Sequence, residues 1–177
     1  MIEKKELRVK EIERSISDII DSIEIVDNNF PAEFDEFYNF GLKKDGIYKR
    51  IEFSIQNIID ICNVINSDLR LGVPDVEDDI FDNLEKKGIF EKRIMDIIRE
   101  IKGFRNILVH KYGTIDDKIA FEDIKKGLED FELIIKEIEK FLEKHKNKEK
   151  QNSLSKKGKK IFYNGKTTGN GKKIIFK

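Results

Sequence analysis

An arginine stands where an apolar residue is due. Ile94, Ile98, Ile101, Arg105, Leu108 and Tyr112 follow one another at steps of 4, 3, 4, 3 and 4, the spacing of a single helical stripe. Arginine is seldom buried without a partner. Arg105 therefore either snorkels its guanidinium out to water or marks where the stripe runs into an interface or cleft that wants a cation. Five residues on is His110, about 140° from Arg105 around an ideal helix and on the face of Gly103 and Asn106. An imidazole exchanges protons near neutral pH, and a guanidinium is a fixed positive charge. Together they are the residue types that acid–base chemistry beside an anion uses. From a straight helix the two do not project side by side. A long Arg side chain closes part of the gap, and a second copy of the helix across a two-fold axis closes the rest, with Gly103 letting another backbone approach. A histidine at a helix end is ordinarily a surface or capping residue, and Tyr112 reads equally as a core-edge tyrosine. Spacing alone leaves both readings open.

Four long amphipathic segments must position these residues. Val9, Ile12, Ile16, Ile19 and Ile23 form the first stripe. Ile51, Ile55, Ile58, Cys62, Ile65 and Leu69 form the second, and Phe90, Ile94, Ile97, Ile101, Phe104 and Leu108 the third. Phe121, Ile124, Leu128, Phe131, Ile135, Ile138 and Leu142 form the fourth. None of these helices buries its stripe alone, so the spacing predicts an all-α fold, an up-and-down four-helix bundle. A short extra helix is expected over 75–87, with Pro74 near its start and Gly88 past its end. Gly113 is expected to stop the third long helix, and Asp116 or Asp117 to cap the fourth. The segment 27–46 reads as a connection, broken at Gly41 and Asp45-Gly46. Its aromatic residues Phe30, Phe34, Phe37, Tyr38 and Phe40 argue for packing on the body, with a short helix at 32–39.

Charge divides the chain. The 177 residues hold 35 Lys+Arg and 35 Asp+Glu, a formal balance of zero, which excludes a uniformly basic nucleic-acid coat. Residues 146–177 contain eleven Lys and one Glu, leaving 24 basic and 34 acidic residues in 1–145. The expected organisation is an acidic helical domain, 1–145, and a basic, mostly disordered tail, 146–177. Within the tail 160–164 and 172–176 suggest a small hairpin. One cysteine excludes a disulfide framework and a Cys-based zinc site and suits a reducing cytosol. The charged N-terminus lacks a signal peptide, and no run of 18 apolar residues spans a membrane, so the chain reads as cytoplasmic. Two histidines are too few for a His-rich metal site, and neither a metal nor a cofactor is expected.

The run Arg105-Asn106-Ile107-Leu108-Val109-His110-Lys111-Tyr112 resembles the Arg-x4-His-x-Tyr signature of the HEPN superfamily, most of all its HepT-like branch of small helical toxins. The resemblance extends over the helical layout of about 1–145; the tail has no counterpart. It implies a dimeric, metal-independent endoribonuclease in which both protomers face one cleft. The ribose 2′-OH would attack the adjacent phosphate, leaving a 2′,3′-cyclic phosphate and a free 5′-OH. His110 would move the proton, Arg105 would stabilise charge on the phosphorane oxygens, and Asn106 would hold a phosphate oxygen or orient His110. The resemblance also implies a partner, an MntA-like nucleotidyltransferase antitoxin that transfers AMP to Tyr112. A helix C-terminus repels phosphate and favours protonated histidine, which suits His110 as an acid. The basic tail then serves to gather RNA.

Two weaker signals do not hold. Gly165-Lys166-Thr167 resembles the end of a phosphate loop, but the glycine required five positions earlier is Lys160. Cys62 lies on the second stripe and reads as a core cysteine. The alternative to a nuclease is a non-catalytic helical dimer that binds a nucleotidyltransferase and a nucleotide.

Overall fold

Isoleucines at three- and four-residue steps are buried much as their spacing requires. The computed structural model describes residues 6–110 and 115–163. Helix α1 (Val9–Asp27) buries Ile12, Ile16 and Ile19, then turns its inner face to Ser22 and Val26. After the short α2 (Phe34–Tyr38) comes α3 (Leu42–Leu69), buried over a broad band that includes Ile51, Ile55, Ile58, Cys62 and Ile65. That breadth follows from its place: α3 packs against α1, α4 and α5. Helices α4 (Glu77–Lys86), α5 (Lys92–His110) and α6 (Asp117–Tyr163) complete the described elements, which are all helical.

Ion pairs and aromatic contacts fix the directions. Arg8 donates to Asp68 from its backbone N–H at 3.0 Å and from Nε at 2.9 Å, while Arg50 reaches Ser22 at 3.4 Å. The start of α1 thus meets the end of α3, and the two are antiparallel. Phe90 packs edge-on to Phe141, and Lys140 lies 3.7 Å from Glu91, so α5 and α6 are antiparallel too. Lys44 and the Tyr48 hydroxyl, both on α3, meet the Asp117 carboxylate at 2.5 and 2.7 Å. The four long helices alternate up and down, as expected.

The connection after α1 is packed. Phe30, Phe34 and Phe37 surround the Phe121 ring on α6, and α2 falls within the expected 32–39. The expected break at Asp45-Gly46 is absent, however. Helix α3 begins at Leu42, after Gly41 at φ 55°. Gly46 lies inside the helix because Lys44 and Tyr48 tie that turn to α6, and such tertiary contacts offset the roughly 1 kcal/mol helix cost of glycine.

Helix α4 closes against α5 through charge. Arg99 reaches Asp82 at 2.9 Å and Glu85 at 2.8 Å, and Lys102 reaches Asp78 at 2.7 Å. The Asp79 carboxylate accepts the N–H groups of Asp75 and Val76 and caps the helix start. Those two bonds hold it below the usual carboxylate range. Gly88, at φ 60°, ends the helix, with the N–H groups of Gly88 and Ile89 closing on Glu85 and Leu84. Before α4, Gly72 packs so tightly that a Cβ there would lie 2.6–2.9 Å from the Asn83 side chain.

Asp116 caps α6, accepting from the N–H groups of Lys118 and Ile119. By its contacts the chain divides after Phe141. In the second unit α6 continues to Tyr163, past the expected end near 145, because Lys, Glu and Gln favour a helix without any apolar stripe. The proposed hairpin strand at 160–164 falls on this helix through Tyr163; its partner at 172–176 lies outside the described residues. Among the described residues no helix is long and apolar enough to cross a membrane.

Candidate functional site

On α5, Ile101 and Leu108 are buried, and Arg105 lies half-buried between them. Its Nε is enclosed without a partner. Nη1 donates to the side-chain oxygen of Asn106 at 3.0 Å. Nη2 donates to the side-chain oxygen of Gln56 on α3. The guanidinium is thus held at the end of the stripe by two amide oxygens. Neither is charged, so the arginine's positive charge is not neutralised by a carboxylate in direct contact. Gln56 in turn donates from Nε2 to Asp60 at 2.9 Å.

His110 is the last residue of α5 and is exposed. It does not meet Arg105 directly. Asn106 stands one turn before it, about 40° around the helix, and Asn106 draws the arginine toward that side. Gly103 and Ile107 share the face. Nothing lies within 4 Å of a Cβ built on Gly103, and Ile107 is 39% exposed. The sequence thus leads to a cation, an amide and an imidazole along one open helix end. Tyr112, Lys111 and the expected stop at Gly113 lie outside the described residues.

Gln56 escaped the sequence reading. It follows Ile55 on the buried stripe of α3 but carries no motif, and its contact with Arg105 spans 49 residues. Cys62 is fully buried and free, and burial pushes its thiol up to about 12, as suits a core residue. On the other side of α5 a groove of about 310 Å³ opens between α3, α5 and α6, floored by Ile55, Phe104 and Phe131 and rimmed by Glu100, Asp123 and Asp130, with Lys126 as its single cation among the described residues. That acidic rim suits it poorly to a phosphate chain. Among the described residues no group of three His, Cys, Asp or Glu side chains is placed to hold a metal ion.

Residues 19–138 match the family described as Ribonuclease HepT-like. Over 92 residues the chain is 30% identical to the mRNA nuclease HepT of Shewanella oneidensis, covering 52% of this chain and 69% of that protein. Its fold is similar to the tri-AMPylated HEPN toxin of Shewanella oneidensis solved in complex with MNT antitoxin: TM-score 0.66, 26% identity, 73% of this chain and 96% of that one. The cytosolic protein YutE of Bacillus subtilis shares the fold at a TM-score of 0.67 and 17% identity, over 78% of this chain and 93% of that one.

Proposed function

The chain belongs to the Ribonuclease HepT-like family, and on that premise we propose that it is the toxin of a toxin–antitoxin pair, an endoribonuclease silenced by a nucleotidyltransferase. The observation that carries the site is the arginine clamp. Arg105 sits on a buried stripe, yet its partners are the neutral amides of Asn106 and Gln56. A cation kept in place without a counter-charge is prepared for an anion from outside, here the RNA phosphate.

The reaction needs no metal. The ribose 2′-OH attacks the adjacent phosphorus, its proton passes to a base, and the 5′-oxygen leaves with a proton from an acid. His110, exposed at the C-terminal end of α5, is that acid. Arg105 neutralises charge on the non-bridging oxygens as the phosphorane forms. The Asn106 oxygen is taken by Arg105, so its NH₂ is the part that meets a phosphate oxygen. A second copy of the chain, docked on the open face of Gly103 and Ile107, completes the cleft and brings the facing imidazole. The chain acts in the cytoplasm on RNA. The antitoxin, an MntA-like nucleotidyltransferase, transfers AMP to Tyr112.

Expression of wild type beside His110→Ala and Arg105→Ala tests this. Wild type is expected to stop growth and to fragment RNA with or without EDTA, and both variants to be harmless and folded. General acid–base help is worth about 10²–10⁴ in rate, so the loss is large. RNA cleavage unchanged in both variants would overturn this mechanism, and a wild type that cleaves no RNA would leave the chain as a helical interaction module. Light scattering that finds only monomer at micromolar concentration would remove the shared cleft.

A further inference from the structure

Two carboxylate-free contacts decide where the Arg105 guanidinium points, and one of them comes from a different helix. Gln56 stands on α3, and its side-chain oxygen accepts from Arg105 Nη2. Its other end is fixed as well: Nε2 donates to Asp60 Oδ1 at 2.9 Å, one turn further along α3. Asp60 thereby determines which way the amide faces. Turned over, the amide would aim its NH₂ at a guanidinium, which only donates, and its oxygen at a carboxylate, which only accepts. With both ends satisfied, the oxygen faces the arginine.

The arrangement also sets which donors stay free. Nε is enclosed, Nη1 gives one hydrogen to Asn106, and Nη2 gives one to Gln56. Each Nη keeps a second N–H. Two other arginines are paired with carboxylates, Arg8 with Asp68 at 2.9 Å and Arg99 with Glu85 at 2.8 Å. Around Arg105 the acid, Asp60, is kept one amide away. Gln56 is a neutral link between the cation of Arg105 and the carboxylate of Asp60.

We propose that Gln56, oriented by Asp60, is the positioning residue that aims Arg105 at the scissile phosphate while leaving its charge unspent. The proposal rests on the reading of Arg105 as the phosphate-binding cation. It makes α3, and not α5 alone, part of the nuclease machinery.

The test compares the full-length wild type with Gln56→Glu, Gln56→Leu, Asp60→Asn and Arg105→Ala. It follows cleavage of an end-labelled RNA oligonucleotide, with kcat and KM separated, together with thermal melting. Gln56→Glu keeps the shape and an acceptor oxygen but adds a charge, so its melting is expected to be retained or raised. Its kcat is expected to fall by about 10- to 100-fold, the size of one hydrogen bond to a charged group. Gln56→Leu removes the acceptor and is expected to lose kcat to a similar degree. Asp60→Asn frees the amide to turn and shows a smaller loss in the same direction. Should Gln56→Leu fail to fold, Gln56→Glu carries the comparison. A tie that merely joins α3 to α5 predicts the contrary for Gln56→Glu, with both melting and cleavage kept. Gln56→Glu cleaving like wild type while Arg105→Ala is dead would overturn the proposal and leave the site reading intact. Arg105→Ala cleaving like wild type would instead remove the site reading and this proposal with it.

Discussion

Arg105 and Asn106 are consecutive residues, about 100° apart around α5, yet the arginine folds across to donate to its neighbour's side-chain oxygen at 3.0 Å. That contact turns the cation away from the core stripe and toward the face where His110 ends the helix. The wide angle between Arg105 and His110 is therefore narrowed within one chain, before any second copy contributes.

Arg105→Lys is expected to lose most activity although it keeps the charge. An ammonium is a single point and cannot hold Asn106 and Gln56 in one plane as the guanidinium fork does. A fall in kcat of about tenfold or more, with unchanged melting, is the expected size for one lost charge-assisted hydrogen bond. Steady-state kinetics on an RNA oligonucleotide measure it. Full activity in the lysine variant would mean that charge alone matters.

Tyr112→Phe is expected to stay a nuclease and to escape the antitoxin. The phenolic oxygen is the proposed acceptor of AMP, and an attached AMP brings a phosphodiester charge that pairs with Arg105 and occupies the place of the substrate phosphate. Co-expression with the cognate nucleotidyltransferase and ATP should add AMP mass to the wild-type peptide that holds Tyr112 and not to the variant. Modification and silencing of Tyr112→Phe at another residue would move the regulatory site.

Cys62 is expected to resist thiol reagents at pH 8 in the folded protein and to react at once in denaturant, because burial raises its thiol from 9.0 to about 12. The folded state favours the neutral form. Its contribution to stability is complete below pH 9 and is lost as pH rises toward 12. The Tyr48 phenol is raised in the same direction by burial and by its bond to Asp117, so both groups act together. Melting followed from pH 8 to 11 should hold to about pH 9 and then decline; a flat profile would contradict the burial of these groups.

Truncation after His145 is expected to leave the melting transition in place and to weaken RNA binding. The four apolar stripes end at Leu142, whereas residues 146–177 contain eleven Lys. Fewer lysines release fewer counterions, so the dependence of affinity on salt should flatten. Filter binding at several salt concentrations reads the slope. A large drop in melting temperature would show that the removed residues belong to the folded core.

Much of the bundle was legible because burial and spacing are the same fact seen twice. Ile94, Ile98 and Ile101 are buried where their period put them. Arg105 was legible for the converse reason, since it interrupts that period. Less visible were features decided by distant partners. Asp45-Gly46 looks like a turn until Lys44 and Tyr48 meet Asp117. Gln56 is silent because its meaning lies in a side chain 49 residues away, and no local pattern encodes such a meeting.

The tight contact of Gly72 with Asn83 turns the loop after α3 into a lever. A methyl group there has to push the Asn83 side chain aside, and Asn83 belongs to α4. The same short helix carries Asp82 and Glu85, which grip Arg99, and Asp78, which grips Lys102. Both grips are on α5, and Lys102 lies one turn before Arg105 and Asn106. A hydrogen atom at position 72, where every other residue type would place carbon, thus leaves the Asn83 side chain its place on the short helix that grips α5.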